Sequence, residues 1–434
     1  MKYFSVNLFI GFLAIVSVVV LPSLANPTIR DLDKYSFDMY LAEFGKRYDN
    51  PEEYRKRSQI FSGTLAEVKK LNKDPHRSVQ FGINRFSDLT DEEFTQQMNG
   101  RVSAHQTTSS LQRNSYIYKG ANVPESMSWQ DAKDPVLTPI KDQGSCGSCW
   151  AHAATESVES MYAIHTGKLF TLSTQQVTSC TNNTHHCGGI GGCGGGTVQL
   201  AWEYVKTAGG LTLNETYPYI SGETSETEKC QLNSSVKSDV TVYSYVSLPH
   251  NDYNAVIEAL VTVGPLAVSV DASQWKNYVS GIFDLCGKDK GNITINHAVQ
   301  LVGYGSDNET KQDYWIVRNS WGKDWGENGY IRLLRKKSND TCLPDEDWNT
   351  MGGGCENDEN VTITACGMCG ILYDVAYPRV TETPEKAKYA WIAGVAFGAL
   401  ALVMICLVIY SKCRYTKPAT DVALLDAESV YMKD

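Results

Sequence analysis

Two long uncharged apolar runs divide the 434-residue chain and limit where a water-soluble fold can form. Residues 6–21 are followed by small residues, a pattern typical of a cleaved secretory signal. Residues 389–410 contain no charge over 22 positions, which is long enough to cross a bilayer as a helix, and basic residues follow them. An uncleaved N-terminal anchor and a buried core helix are the alternatives. We predict a signal peptide at 1–25, a transmembrane helix at 389–410 and a cytosolic tail at 411–434.

Cysteines and N-x-S/T sequons are concentrated between these two runs. Eleven of the thirteen cysteines lie in residues 121–380, and so do all seven sequons. Both features are typical of the oxidising secretory pathway, where disulfides persist and asparagines are glycosylated. The net charge of −10 and the lack of a basic run argue against nucleic-acid binding. The predicted glycosylation sites are Asn182, Asn214, Asn233, Asn292, Asn308, Asn339 and Asn360.

The part between the runs divides into two units joined by a linker. Residues 26–120 contain a first helical pattern with its aromatic residues on one face and a second that opens with Pro51. They end in a polar linker at 101–120. Residues 121–380 have helical patterns in the first half and apolar strands in the second. This order predicts an α+β fold with two lobes and a cleft between them.

The sequence QGSCGSCW at 143–150 contains the first candidate for chemistry. Its Cys-x-x-Cys spacing suits half of a zinc site or a redox pair, but no second pair lies at finger-like distance. The residues after Cys149 favour a helix. A thiol at a helix N-terminus has a lowered pKa because the helix dipole stabilises the thiolate. We therefore interpret Cys149 as a nucleophile.

A nucleophilic cysteine needs a base, a group that orients the base, and an oxyanion stabiliser. His297 opens an apolar strand, and Asn319 follows the next one. The side-chain amide of Gln143 can act beside the Cys149 backbone N–H as an oxyanion hole. Trp321 can shield the His297–Asn319 hydrogen bond from water. Each residue alone has an ordinary structural explanation, but together they form a Cys-His-Asn triad for acyl transfer.

With these residues the chain resembles the papain family of cysteine proteases, of the cathepsin L-like kind. CGSCW at 146–150, NHAV at 296–299 and NSWG at 319–322 carry the resemblance. It implies a helical left lobe, a β-barrel-like right lobe, the four catalytic roles given above, and neither a metal nor a cofactor. The residues that would bind substrate are Gly195, Gly196, Thr197, Val198, Ser269, Ile295, Asp374 and Trp321.

The leading unit also resembles that family's propeptides. GINRFSD at 82–88 matches one propeptide motif in full. The longer E-R-F-N-I-N helix pattern is matched in part, because Thr64 and Val68 depart from it. The resemblance implies an inhibitory propeptide at 26–120, removed at low pH, and a mature enzyme that starts near 121–123. The pattern positions are Glu53, Arg57, Phe61, Thr64, Val68 and Asn72.

The resemblance also implies three disulfides, Cys146–Cys193, Cys180–Cys230 and Cys286–Cys369. The remaining luminal cysteines, apart from Cys149, can pair in three ways. Three of them lie in an insertion at about 336–366 that departs from the family, and the fourth lies in a glycine-rich loop. The insertion is either a loop at the cleft edge or a surface elaboration, and we favour the surface elaboration. The unassigned cysteines are Cys187, Cys342, Cys355 and Cys366.

Two further departures bear on mechanism. His152 lies one turn after Cys149, where the family has an aromatic residue, and we expect it to pack or to face solvent rather than to replace His297. Asp374 aligns with the floor of the family's main specificity pocket. An acid there can pair with a basic side chain two residues before the scissile bond, which predicts acceptance of both hydrophobic residues and Arg. The alternative is that Asp374 points to solvent.

The leading hypothesis is a membrane-anchored cysteine endopeptidase, made as a zymogen and acting on proteins and peptides in a lysosome, vacuole or endosome. The acidic dileucine-like stretch 421–425 in the tail suits endosomal sorting, with the cell surface as the alternative location. We expect a monomer. A peptide ligase could use the same triad, and an inactive type I receptor or scaffold could use the same fold. The intact catalytic residues argue against the scaffold.

Overall fold

The computed structural model describes residues 31–74, 77–98, 113–232, 238–288, 291–337, 342–347, 355, 362–382 and 400–411. The chain divides into two units, residues 1–381 and 382–434. The predicted signal peptide and the sequons at Asn233, Asn339 and Asn360 lie outside the described residues. So do half of the predicted transmembrane helix, residues 389–399, and nearly all of the predicted tail.

Two capped helices begin the described chain. Ser36 caps α1 (Phe37–Phe44), and Asn50 caps α2 (Pro51–Leu71), whose first turn contains proline and acidic residues. β1 (Gln80–Phe81) and α3 (Asp91–Met98) follow. The predicted helical character of this leading unit is confirmed.

The left lobe is helical. Its longest helix is buried over nearly all of its length and packs against other helices of this lobe and against the sheet of the right lobe. The helices are α4 (Cys149–Thr166), α5 (Thr174–Cys180), α6 (Val198–Thr207) and α7 (Ser221–Thr224).

The right lobe is built on a nine-stranded sheet with the order β2-β4-β13-β5-β8-β9-β10-β7, and β3 also pairs with β8. One further helix, α8 (Tyr253–Thr262), belongs to this half. A small strand, β6 (Tyr278–Ser280), pairs with β1 outside the main sheet. The sheet strands are β2 (Arg113–Ser115), β3 (Met127–Ser128), β4 (Val240–Ser247), β5 (Leu266–Val270), β7 (Ile282–Phe283), β8 (His297–Ser306), β9 (Asp313–Arg318), β10 (Tyr330–Leu334) and β13 (Val375–Glu382).

A two-stranded hairpin interrupts the chain between β10 and β13. It consists of β11 (Cys342–Asp345) and β12 (Ile363–Cys366), which pair in antiparallel register. This hairpin makes up most of the described part of the predicted insertion, which also includes Cys355. The helical half followed by the β-rich half confirms the predicted α+β fold.

Apart from Glu382, the second unit is described only over residues 400–411, which are helical and expose apolar side chains. Across the described ranges, no helix combines the length and the apolar character needed to span a bilayer. Residues 389–399 of the predicted span lie outside those ranges, so the transmembrane helix stays a prediction.

Candidate active site

The nucleophile candidate lies at the first position of a buried helix. Cys149 begins α4 and is fully buried. The disulfide between Cys146 and Cys193 fixes the preceding loop to the glycine-rich segment of the left lobe. This places the Cys149 thiol at the positive end of the α4 dipole, as the sequence predicted.

The base candidate and its orienting residue meet because their strands are neighbours. His297 begins β8, Asn319 follows the end of β9, and β8 and β9 pair in the sheet. The Nε2 atom of His297 lies 2.8 Å from Oδ1 of Asn319. The ring of Trp321 lies 4.8 Å from the imidazole, centroid to centroid. Nδ1 of His297 is buried and has no hydrogen-bond partner among the described residues, so it is the ring nitrogen that can exchange a proton with a thiol.

Burial controls the protonation of this histidine. The pKa of His297 is lowered from 6.5 to about 4 because the ring is removed from solvent, and the hydrogen bond with Asn319 opposes this only in part. His297 is therefore neutral in the structure. Trp275 also packs edge-on against this ring, with the ring centroids 6.1 Å apart.

The leading unit covers the candidate site with aromatic side chains. Phe86 and Phe94 pack edge-on against Trp321, with ring centroids 6.0 Å and 5.2 Å from it. β1 pairs with β6, and Nδ2 of Asn84 donates to the carbonyl of Lys276 at 2.6 Å. The leading unit thus closes the cleft over the tryptophan that shields His297.

The predicted oxyanion group is engaged by the same unit. Nε2 of Gln143 donates to the carbonyl of Met98 at 2.9 Å and to the carbonyl of Cys146 at 3.0 Å. The Oε1 atom of Gln143 accepts from Ser320 Oγ at 2.7 Å, which fixes the orientation of the amide. A carbonyl of the leading unit therefore occupies the donor that an oxyanion would use. The sequence did not indicate the role of Met98.

Asp88 holds the leading unit together from its centre. This fully buried carboxylate accepts from the hydroxyls of Tyr40, at 2.8 Å, and Tyr48, and forms an ion pair with Lys46. It is the last residue of the GINRFSD motif. The last residue of the motif therefore holds the packing of the leading unit together.

The longer propeptide pattern maps onto α2. Arg57 forms ion pairs with Glu53 and Glu93 and donates to the Asp88 carbonyl at 2.9 Å. The two positions that depart from the pattern, Thr64 and Val68, are buried. Because both side chains fit the packed face of α2, the departures leave the helix and its contacts intact.

Part of the predicted linker is docked on the right lobe rather than exposed. β2 pairs in parallel with β4. The carboxylate of Glu258 accepts from Tyr116 Oη at 2.7 Å, from the Lys119 backbone N–H at 2.8 Å and from the Ala121 backbone N–H at 2.6 Å. The segment before the predicted mature start is therefore held by hydrogen bonds, whereas 101–112 lies outside the described residues.

The structure places Asp374 inside the protein and not toward solvent. Its carboxylate is 7% exposed and accepts from Ser269 Oγ at 2.7 Å and from Gln199 Nε2 at 3.2 Å. Ser269 was predicted as a wall of this pocket, and Ile295 is also buried. Gln199 was not predicted, because only the fold brings its helix against β5 and the Asp374 loop.

The other predicted substrate-binding residues form one continuous stretch before and at the start of α6. Gly195 has a φ of +93°, which favours glycine. A Cβ on Gly196 would lie 2.8 Å from the ring of Trp150, so only glycine fits there. Thr197 caps α6 at Leu200, and Val198 begins the helix.

His152 is buried, which excludes the expected alternative of a surface role. Its Nδ1 lies 3.0 Å from the carbonyl of Ser148, and its ring packs edge-on against Tyr219. Burial lowers the pKa of His152 to about 3, so it is neutral. Tyr219 also donates to the Gln143 carbonyl at 2.9 Å. His152 therefore packs behind the site, through contacts that the sequence did not reveal.

Five disulfides are present in the described chain. Three are those implied by the family resemblance, Cys146–Cys193, Cys180–Cys230 and Cys286–Cys369. The pairing that the sequence left open is resolved as Cys187–Cys355 and Cys342–Cys366.

Comparisons with known proteins agree with this geometry. Residues 123–349 match the papain family cysteine protease domain, and residues 37–94 match the cathepsin propeptide inhibitor domain. The chain is 35% identical over 312 residues to a probable cysteine protease, RD21C, of Arabidopsis thaliana, covering 70% of this chain and 65% of that relative. It is 33% identical to cathepsin L of Sarcophaga peregrina, covering 75% of this chain and 94% of that relative.

Solved zymogens have the same fold. Digestive procathepsin L 3 of Tenebrio molitor superposes with a TM-score of 0.61 at 29% identity, covering 79% of this chain and 97% of that one. A recombinant stem bromelain precursor superposes with a TM-score of 0.61 at 31% identity, again covering 79% of this chain and 97% of that one. The chain therefore belongs to the papain family of cysteine proteases and carries a cathepsin-type inhibitory propeptide.

Proposed function

We propose that this cysteine endopeptidase hydrolyses peptide bonds with Cys149 as the nucleophile, His297 as the acid–base, Asn319 as the orienting residue and Gln143 as an oxyanion donor. One observation carries the assignment: the buried His297–Asn319 hydrogen bond of 2.8 Å leaves Nδ1 of the imidazole for a thiol. Asn319 acts by fixing the ring orientation.

The proposed reaction has two stages. His297 takes the proton of the Cys149 thiol, and the thiolate attacks the scissile carbonyl carbon. The negative oxygen that forms accepts from the Cys149 backbone N–H and the Gln143 side-chain amide. His297 then protonates the leaving amine as the C–N bond breaks, which leaves a thioester. A water molecule, deprotonated by His297, attacks the thioester and releases the acid product and the thiol.

Inhibition by the prosegment follows from the contacts at the site. The Met98 carbonyl accepts the hydrogen bond from the Gln143 side-chain amide, and Phe86 and Phe94 pack against Trp321. Substrate and the prosegment would need the same surfaces, so the prosegment has to leave before the enzyme acts. Because the buried His297 is neutral in the closed zymogen, acid would favour an open state in which the ring is hydrated and can be protonated.

The specificity proposal concerns the pocket around Asp374. Its walls include Ser269 and Ile295, and its carboxylate is held by two neutral donors rather than by a cation. A carboxylate in this position keeps its ability to pair with an incoming Arg or Lys, while the apolar walls suit hydrophobic residues. We therefore propose a mixed preference for hydrophobic residues and Arg two residues before the scissile bond.

The proposed location is the lysosome, vacuole or endosome, reached through the secretory pathway. The five disulfides support an oxidising route. The lowered pKa of the buried His297, which would make opening of the zymogen depend on acid, supports an acidic destination. The uncharged run 389–410 supports a membrane anchor. The sequons at Asn182 and Asn308 are exposed, as glycosylation requires.

The test is hydrolysis of an N-blocked Phe-Arg fluorogenic reporter by acid-processed protein. We expect H297A to lower kcat by about 10²- to 10⁴-fold, the usual contribution of general acid–base catalysis. H165A is the matched control, because residue 165 lies at the other end of α4, about 24 Å from Cys149 at the helical rise per residue. Equal activity of H297A and wild-type protein would refute the assignment.

A further inference from the structure

Glu258 is a buried carboxylate that the proposed reaction does not use. It lies on α8 of the right lobe and is 1% exposed. Its oxygens accept from Tyr116 Oη at 2.7 Å, from the Lys119 N–H at 2.8 Å and from the Ala121 N–H at 2.6 Å. All three donors are neutral, and within the described part of the chain no Lys, Arg or His side chain forms an ion pair with this carboxylate. Burying a carboxylate without a paired cation is costly, so a cation at this position would be stabilised.

The chain after Ala121 is fixed by contacts that do not involve the prosegment. Nε1 of Trp129 donates to the Leu260 carbonyl of α8 at 2.9 Å. Tyr304 Oη donates to the Pro124 carbonyl at 2.7 Å, and β3 pairs with β8. Because these contacts lie within the peptidase domain, they hold the Ala121 nitrogen near Glu258 when the residues before it are removed.

The bond before Ala121 is accessible to a protease. Residues 117–120 are exposed. Gly120 has a φ of +71°, and a Cβ there would meet no described atom within 4 Å. Exposed loops of this kind are preferred sites of proteolytic cleavage. Cleavage here would place Lys119 two residues before the scissile bond, where the Asp374 pocket is proposed to accept a basic side chain; this one point rests on the proposed function.

Hydrolysis of the Gly120–Ala121 bond changes the group beside Glu258. One water molecule is added and the C–N bond breaks, which leaves a carboxylate on Gly120 and an amine on Ala121 that takes a proton at acid and neutral pH. The N–H that lies 2.6 Å from Oε1 of Glu258 thereby becomes an ammonium with three donors. Hydrogen bonds between charged groups are shorter and stronger than those between neutral groups.

We propose that Glu258 binds the α-ammonium group of Ala121 as the N-terminus of the processed enzyme. The ion pair replaces the donors of Tyr116 and Lys119, which leave with the prosegment. The Lys119 charge, which favours the carboxylate from farther away, leaves with them. A cut one residue earlier or later would move the amine by up to about 3.6 Å, beyond the reach of the carboxylate. Glu258 thus sets the first residue of the mature chain.

The test measures how fast the N-terminal amine of the processed protein reacts with acetyl N-hydroxysuccinimide, which modifies only the uncharged amine. The product is quantified by mass spectrometry of the tryptic peptide 121–133. An unpaired α-amine has a pKa of about 7.7–8.0, and a carboxylate partner raises that pKa by about 1 or more. At pH 7 we therefore expect the wild-type amine to react about tenfold more slowly than that of E258Q. E125Q is the matched control, because it removes an exposed carboxylate close to Ala121 in sequence, and it should react at the wild-type rate.

Two results would overturn the inference. One is a wild-type processed chain that starts at any residue other than Ala121, Lys119 included, and the other is an equal reaction rate in wild-type protein and E258Q. If E258Q does not fold, the pH dependence of the wild-type rate decides, because an amine pKa of about 7.7–8.0 would also overturn the inference.

The labelling comparison does not depend on the enzyme's own activity. A C149A zymogen in which residues 117–120 are replaced by a factor Xa recognition sequence gives the Ala121 amine when factor Xa is added. Labelling of this protein with and without E258Q tests the ion pair alone, so its failure is distinct from a failure of the proposed function.

Discussion

His297 should couple acid pH to release of the prosegment. In the closed zymogen its pKa is lowered from 6.5 to about 4 by burial. A group with a lowered pKa in the closed state stabilises that state above its ordinary pKa, and the stabilisation is lost as pH falls from 6.5 toward 4. When the prosegment leaves, the ring is hydrated and can take a proton. Falling pH therefore favours opening.

The magnitude follows from the two pKa values. Proton linkage between 6.5 and about 4 favours the open form by ~2 kcal/mol at pH 5 but by only ~0.2 kcal/mol at pH 7. Two nearby carboxylates titrate lower. Within the leading unit, burial opposes the hydrogen bonds from Lys56 and Arg57 to Glu93, but these bonds outweigh it and lower the pKa of Glu93 to about 2. At the contact between the leading unit and the enzyme, the hydrogen bonds from Arg85 likewise outweigh burial and lower the pKa of Asp142. Both carboxylates lose their contribution below the window in which His297 acts.

The assay is amide hydrogen exchange of α3 in a C149A zymogen, which cannot process itself. After correction for intrinsic exchange rates, the free energy of opening should fall by ~2 kcal/mol from pH 7 to pH 5. In C149A/H297Q the group that titrates is absent, so most of this decrease should disappear. The same pH dependence in both proteins would refute the reasoning, whatever their absolute stabilities.

Three further predictions concern other residues of the site. Gln143→Ala should lower kcat on the Phe-Arg reporter by about 10²- to 10³-fold with little change in KM, because it removes an oxyanion donor; an unchanged kcat would contradict this. Asp374→Ala and Asp374→Asn should both lower cleavage of an Arg-Arg reporter relative to a Phe-Arg reporter by about tenfold, or about 1.4 kcal/mol. An unaltered Arg-Arg to Phe-Arg cleavage ratio in both variants would contradict the proposal that Asp374 pairs with a basic side chain of the substrate. Burial raises the pKa of Asp345 to about 6, so the free energy of unfolding of the mature domain, measured in urea, should fall by ~1–3 kcal/mol from pH 4 to pH 7. In Asp347→Asn the free energy of unfolding should fall less between pH 4 and pH 7, because the Asp347 charge contributes to the raised pKa of Asp345. An equal fall in the variant and the wild-type protein would contradict this prediction.

The proposed catalytic residues could be named from the sequence because short motifs fix their local structure. Cys149 precedes a helical pattern, and His297 and Asn319 adjoin apolar strands that pair side by side. The fold class followed from the order of helical and strand-like segments. The bounds of single strands were less predictable: β13 begins only at Val375, after a turn in which Cys369 has a φ of +59°.

Features that depend on distant contacts could not be predicted. Nothing in the sequence indicates that the Met98 carbonyl reaches Gln143, 45 residues away. The buried ion pair of Glu156 with Arg318 likewise joins a helix of one lobe to a strand of the other. Cysteine number allowed three pairings for the four extra cysteines, and only the three-dimensional position of β11 and β12 selects one.

Labelling by an epoxide inhibitor of cysteine proteases tests the central claim most directly. The wild-type zymogen would be treated at neutral pH, and again after acid processing, and the modified residue located by peptide mass mapping. We expect one label per processed chain on Cys149, none on the intact zymogen because the prosegment closes the cleft, and a greatly reduced rate in H297A. Processed protein in which Cys149 stays unmodified would contradict the account.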